Sequence, residues 1–196
     1  AVLNKKSPML ANLAKGLSCR LLYFSDEVDN ENYSAVYRIA TIFRLAKTDC
    51  LKVFSSFSGM PHRMQIVRRV NGVNFINDSK ATNPAATIWA LKSVKKPLIL
   101  IAGGKDKGMD YTTIRPYGGR IKKINLIGEA SSKIREHLGG YFKAETFSSL
   151  EEAVSNAYSH AQEGETVLLS PMCASFDMFF SYIDRGRKFV SIVNRL

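Results

Sequence analysis

The chain has 196 residues, 45% of them hydrophobic, and a net charge of +11 from 28 Lys and Arg against 17 Asp and Glu. A chain of this length buries roughly 70% of its surface on folding, as one domain or two small ones. No apolar run approaches the ~20 residues that span a bilayer, and no signal-peptide pattern is present, so no membrane partner is expected. The three cysteines, Cys19, Cys50 and Cys173, are odd in number and widely spaced. That usage suits reduced thiols in the cytoplasm and excludes a disulfide framework. The basic residues fall in scattered pairs such as Lys5-Lys6, Arg68-Arg69 and Lys122-Lys123. With no basic stripe interleaved with aromatics, nucleic acid is not the expected partner. A solvated surface that attracts phosphorylated or carboxylate ligands is.

Ala1 to Asn4 reads as a strand, and Ser7-Pro8 as the cap and first residue of a helix that Gly16 stops. Arg20 to Phe24 is a second strand, so the chain opens inside a β-α-β unit, as though cut from something longer. The spacing of Tyr33, Val36, Tyr37, Ala40 and Phe43 predicts an amphipathic helix over Asp29 to Leu45. A short helix follows from Asp49 to Phe57, ending at Ser58-Gly59. Met64 to Arg69 and Val73 to Ile76 are β-prone runs joined by Asn71-Gly72, the strongest short hairpin signal. The domain boundary is placed in this hairpin, giving units 1–68 and 69–196.

Beyond the hairpin, strand and helix patterns alternate, which predicts an α/β fold with a mainly parallel sheet covered on both faces. Thr87 to Leu91 is helical, with Trp89 assigned to the core. Pro97 to Ala102 is an apolar strand running into the glycine-rich Gly103 to Gly108. Ile124 to Ile127 is a strand, Ser131 to Leu138 a helix, Leu150 to Ala161 a helix and Thr166 to Leu169 a strand. This last strand leads into Ser170 to Asp177, expected to turn directly into a helix whose free N–H groups suit an anion. Asp177 is expected to cap that helix, with Arg185 or Arg187 as an ion-pair partner. His137 and His160 lie on helix faces as surface or packing residues. A serine hydrolase is set aside, because no Gly-x-Ser-x-Gly and no positioned histidine are present.

The chemistry concentrates in two segments, Gly59-Met60-Pro61-His62-Arg63 and Asn77-Asp78-Ser79-Lys80-Ala81-Thr82-Asn83-Pro84. Antiparallel pairing of the hairpin brings them to one corner, where an imidazole, a guanidinium, a carboxylate, an ammonium and two hydroxyls meet. A polar hairpin end followed by a helix cap at Asn83-Pro84 also accounts for part of this pattern. Arg and Lys together suit phosphate or carboxylate oxygens, and Asp suits a hydroxyl or a metal shell.

These runs, with Ile101 to Tyr111 and Leu168 to Gly186, resemble the Mur ligase family, in its D-glutamate-adding version. The sister ligases and folylpolyglutamate synthases carry other residues after the equivalent strand. The resemblance implies a Rossmann-like C-terminal domain preceded by the tail of an ATP-binding central domain. It implies an ATP- and Mg²⁺-dependent ligase of peptidoglycan synthesis, a monomer joining D-glutamate to UDP-N-acetylmuramoyl-L-alanine through an acyl phosphate. Carried over by position, His62 and Lys80 lie at the reacting centre. Asn32, Arg63 and Asp78 bind nucleotide, Arg63 at the phosphates and Asp78 at the ribose. Thr82, Lys107, Ser175 and Phe176 bind D-glutamate, and an aromatic is also expected at Tyr182. The family's asparagine pair, three apart, is matched only at its second member by Asn32, since Asp29, or Asn30 if the loop is shifted, stands at the first.

No Gly-x-x-x-x-Gly-Lys-Ser/Thr phosphate loop occurs in the sequence. The resemblance places it upstream, with the main metal ligands, and no metal ligand is assigned here. The chain alone is therefore expected to be inactive. A non-catalytic binding module and a sister ligase for another amino acid are the alternatives.

Overall fold

The computed structural model describes all residues from Ala1 to Leu196. It divides into two compact units, Ala1–Ser58 and Gly59–Leu196. The division lies upstream of the 68/69 boundary read from the sequence. The strand Gln65–Val70 pairs along its length inside the second unit.

In the first unit, β1 (Val2–Asn4) and β2 (Leu22–Phe24) run parallel, connected through α1 (Pro8–Ala14). The Ser7 hydroxyl accepts the Leu10 N–H and Pro8 starts the helix, as the Ser-Pro pair predicts. The helices α2 (Glu31–Ile42) and α3 (Lys47–Ser56) follow. The expected apolar stripe of α2 is only partly used. Ala40 is buried and Tyr33 stacks on Phe54 at 4.4 Å, but Val36 and Phe43 are exposed, because β1, β2 and α3 cover only one side of the helix.

The second unit is a six-stranded sheet in the order β3-β4-β8-β5-β6-β7. Its strands are β3 (Gln65–Val70), β4 (Val73–Asn77), β5 (Leu98–Gly103), β6 (Ile121–Ile127), β7 (Ala144–Phe147) and β8 (Thr166–Leu169). Only β3 and β4 are antiparallel, in register Gln65↔Asn77 and Val70↔Val73 around Asn71 and Gly72, both at positive φ. That is the turn the Asn-Gly pair specifies. The remaining pairs are parallel, so the expected α/β fold with a mainly parallel sheet is the one observed.

Alternation along β5 builds two cores. Leu98, Leu100 and Ala102 face one layer, with Leu91 of α4 (Pro84–Ser93), Tyr111 and Ile114 of a 3-10 segment (Tyr111–Arg120), and Ile134 of α5 (Ser131–Leu138). Ile99 and Ile101 face the other, with Val154 of α6 (Leu150–His160) and Phe189 and Val193 of α7 (Tyr182–Asn194). Both sheet faces are covered, as continuous apolar strands of a parallel sheet require.

Three expectations are corrected. Trp89 is not core: α4 buries Pro84, Thr87, Ala90 and Leu91, and residue 89 falls off that stripe, leaving the indole 59% exposed. The loop after β8 does not turn directly into a helix. Residues 175–179 make one turn, closed by the Phe179 N–H on the Ser175 carbonyl at 2.8 Å, and α7 begins only at Tyr182, capped by Ser181. Asp177 caps no helix and makes no ion pair with Arg185 or Arg187; one carboxylate oxygen accepts the Glu129 N–H at 2.9 Å.

Because β4, β8 and β5 are parallel neighbours, their carboxyl ends lie side by side. The loops that follow them, 78–83, 170–181 and 104–110, therefore share one edge of the sheet. Open α/β sheets bind ligands at such an edge.

Candidate active site

The hairpin brings its two polar ends together. The Lys80 N–H donates to the His62 carbonyl at 2.9 Å, and the Met64 N–H donates to Asp78 Oδ1 at 3.2 Å. His62 sits at φ +64° with its side chain buried to 8% exposure. Asn77, fully buried at the end of β4, has its Nδ2 3.0 Å from His62 Nδ1. Burial, helped by the charge of Arg187, holds the His62 pKa below the usual imidazole value.

Asp78 is 5% exposed and accepts the Ser170 hydroxyl at 2.8 Å. Ser170 in turn lies 2.9 Å from the Thr87 hydroxyl, which donates to the Ser170 carbonyl. Burial pushes the Asp78 pKa up to about 6, against the opposing pull of the Ser170 hydroxyl, the Met64 N–H and the Arg63 charge. Arg63 itself is exposed.

Lys80 is exposed, and its Nζ stands 4.0 Å from the centroid of the Tyr182 ring, a cation–π distance. Tyr182 also meets the His62 ring edge-on, with centroids 6.4 Å apart. Phe176 instead points into solvent at 73% exposure. Of the two aromatic positions raised by the resemblance, Tyr182 is therefore the one that shares the corner with His62 and Lys80.

A side chain that the sequence suggested only as an ion-pair partner for Asp177 ties the loops together. Arg185 of α7 is fully buried and has no carboxylate partner. Its Nε donates to the Ser79 hydroxyl at 3.0 Å and its Nη2 to the Ser79 carbonyl at 2.9 Å, holding the loop after β4. Further bonds reach the Cys173 carbonyl at 3.1 Å and the Ala174 carbonyl at 3.3 Å, holding the loop after β8. Burial lowers its pKa to about 10, so the guanidinium stays charged at neutral pH. The Lys105 N–H donates to the Ala174 carbonyl at 2.9 Å, which adds the loop after β5 to the same clasp. Gly104 permits this approach: a Cβ there would lie 2.2 Å from the Ala174 carbonyl oxygen.

In the loop after β5, Lys105 pairs with Glu129 at 2.5 Å, while Lys107 is exposed and makes no ion pair. Asp106 accepts the Tyr111 hydroxyl at 2.9 Å, the Lys133 ammonium at 3.0 Å and the Gly108 N–H at 3.0 Å, which fixes the turn that carries Lys107. Thr82 is half-buried, with its N–H on the Lys80 carbonyl at 2.8 Å, and Ser175 is buried. Asn32 belongs to the first unit, in the opening turn of α2, where its N–H is capped by Asn30 at 2.9 Å. The corner thus carries cationic and hydroxyl groups at one sheet edge, an arrangement suited to oxyanions. No group of three or more His, Cys, Asp or Glu side chains is placed to hold a cation. A hollow of about 320 Å³ beside α6 and α7, lined by Leu150, Phe179, Lys188 and Ile192 among others, includes none of the corner residues.

The model of the Mur ligase glutamate ligase domain matches residues 62–173. The UDP-N-acetylmuramoylalanine–D-glutamate ligase of Thermoanaerobacter sp. (strain X514) is 40% identical over 190 residues, covering 94% of this chain and 42% of that protein. The ligase of the same name from Solibacter usitatus is 47% identical over 142 residues, 72% of this chain and 32% of that protein. This chain thus spans less than half the length of these curated relatives. Among solved structures, the bifunctional folylpolyglutamate synthase/dihydrofolate synthase from Yersinia pestis CO92 superposes with a TM-score of 0.69 at 16% identity, over 96% of this chain and 51% of that one. The folds agree, and with the family model matching more than half of its residues, this chain belongs to the Mur ligase family.

Proposed function

We propose that this chain supplies the D-glutamate-binding part and a share of the nucleotide-binding part of an ATP-dependent ligase that joins D-glutamate to UDP-N-acetylmuramoyl-L-alanine in peptidoglycan synthesis. The observation that carries the proposal is the 40% identity to a D-glutamate ligase over 94% of the chain. The clasped edge, where cationic and hydroxyl side chains converge, supports it.

The reaction activates the alanyl carboxylate as an acyl phosphate, which the amine of D-glutamate attacks. The tetrahedral species carries phosphoryl and carboxylate charge, and fixed cations and dipoles stabilise it most when they are already in place. Lys80, held against Tyr182, supplies one such charge beside His62. Arg63 reaches from the same corner to the nucleotide phosphates, and Asp78 accepts from the ribose hydroxyls. Lys107 meets one carboxylate of D-glutamate, with Thr82, Ser175 and an aromatic side chain around the rest of it. Asn32 meets the nucleotide from the start of α2. ATP is held mainly by a phosphate loop, and this sequence has none. The Mg²⁺ that the reaction implies also finds no fitting set of ligands among these side chains.

The test is amino-acid choice in the complete ligase that contains this chain, supplied with ATP and UDP-N-acetylmuramoyl-L-alanine. D-glutamate should exceed L-lysine and diaminopimelate by roughly a hundred-fold or more in kcat/KM, because an unfilled polar site rejects a mismatched side chain strongly. Preferred use of either diamino acid would assign the chain to a sister ligase.

A further inference from the structure

We propose that Asn77 fixes the His62 imidazole in the tautomer with a bare Nδ1 and a protonated Nε2, so that His62 serves as a hydrogen-bond donor in the ligase and not as a base. The catalytic half of this proposal rests on the placement of His62 at the reacting centre given above. The tautomer does not.

The amide orientation of Asn77 is set from both ends. Its Oδ1 accepts the Ser79 N–H at 3.2 Å, so that atom is the oxygen. Its Nδ2 lies 3.1 Å from the Gly186 carbonyl and 3.2 Å from Gln65 Oε1, so that atom is the nitrogen. An amide nitrogen donates and does not accept. With this nitrogen 3.0 Å from His62 Nδ1, a proton on Nδ1 would point at another donor. The ring packs closely on the Gly186 backbone, where a Cβ would stand 2.3 Å from Nδ1. A neutral ring must then carry its proton on Nε2, which has no acceptor within the protein and is not sealed from solvent.

The charged groups around the ring oppose a second proton. Arg187 approaches from α7, Arg63 follows in the chain, and Lys80 lies across Tyr182 on the segment after β4, where Asp78 is the one carboxylate. Asn77 touches no reacting atom in this scheme, and acts as a positioning residue.

The 196-residue chain with ¹⁵N-labelled histidine reports the tautomer directly through the ring nitrogens. His62 should show a bare Nδ1 and a protonated Nε2 at neutral pH; a protonated Nδ1 in the unsubstituted chain overturns the proposal without any variant. Asn77→Asp replaces the donor by an acceptor, so Nδ1 should become protonated and the ring should hold a second proton to higher pH. An unchanged ring in Asn77→Asp also overturns it. In the complete ligase, Asn77→Asp should lower kcat at least tenfold at neutral pH and leave the KM for D-glutamate unchanged. A switched tautomer with normal kcat would overturn the catalytic half. Absence of D-glutamate ligation in the unsubstituted enzyme would instead refute the proposed reaction and leave the tautomer standing.

Discussion

Gly186 lies so close under His62 that a Cβ built at position 186 would stand 2.3 Å from His62 Nδ1. This glycine occupies the interior of α7, where alanine would ordinarily stabilise by about 1 kcal/mol. Gly186→Ala should instead destabilise by roughly 1–3 kcal/mol, as overpacking does. His62→Ala should remove most of that penalty. Chemical denaturation of both single variants and the double variant measures the coupling. Strictly additive effects would mean that the ring and the helix do not press on each other.

Asp78 illustrates a site that works against stability. Its folded pKa of about 6 lies above the ordinary aspartate value of 3.8, so the folded state binds more protons between these values. Stability must therefore fall as pH rises from about 4 through 6. With about 1.4 kcal/mol per pKa unit as the conversion, the loss is at most ~3 kcal/mol. Asp78→Asn keeps an oxygen for the Met64 N–H and should be more stable at pH 7, by ~1–3 kcal/mol, with a flatter profile between pH 4 and 6. Thermal melts across that range provide the check. A variant less stable than the parent at pH 7 would show that the carboxylate is stabilised where it stands.

Arg185 holds two loops through four hydrogen bonds, none of them to a carboxylate. Arg185→Met removes the buried charge but strands the Ser79, Cys173 and Ala174 carbonyls. Hydrogen bonds to charged groups contribute about 1.5–3 kcal/mol each, partly offset by the desolvation no longer incurred. A net loss of about 2–4 kcal/mol is expected, with faster amide exchange in residues 78–82 and 172–175. Unaltered exchange there would mean that the loops keep their places without the clasp.

The parts of this architecture governed by local rules were readable in the sequence. Asn71-Gly72 announced the hairpin, Ser7-Pro8 and Asn83-Pro84 announced helix starts, and apolar runs announced β5 and β8. β7 was missed because Ala144–Phe147 is a short edge strand of mixed polarity, and the 3-10 segment because Pro116, Gly118 and Gly119 erase any helical period. The roles of Asn77 and Arg185 were missed for a different reason: each bonds to a group more than a hundred residues away in sequence, Asn77 to the Gly186 carbonyl and Arg185 to Ser79. A signal was nevertheless available. Asn77 alternates with Val73 and Phe75 on the buried face of β4, and Arg185 shares the buried stripe of α7 with Phe189 and Ile192. A polar residue in such a position must find partners inside the protein.

Lys107 tests most directly whether the sheet edge holds D-glutamate, with its neighbour Lys105 as the control. Lys105 is already paired with Glu129, whereas Lys107 is exposed and free of any ion pair. The measurement is the KM for D-glutamate of Lys107→Met and Lys105→Met in the complete ligase, with thermal stability and the KM for ATP recorded beside it. Loss of a charge-assisted bond of about 1.5–3 kcal/mol corresponds to roughly a ten- to hundred-fold rise. That rise is expected for Lys107→Met alone, with its stability and its KM for ATP unchanged. Equal effects at the two lysines, or an effect confined to ATP, would contradict the placement of the amino acid at this edge.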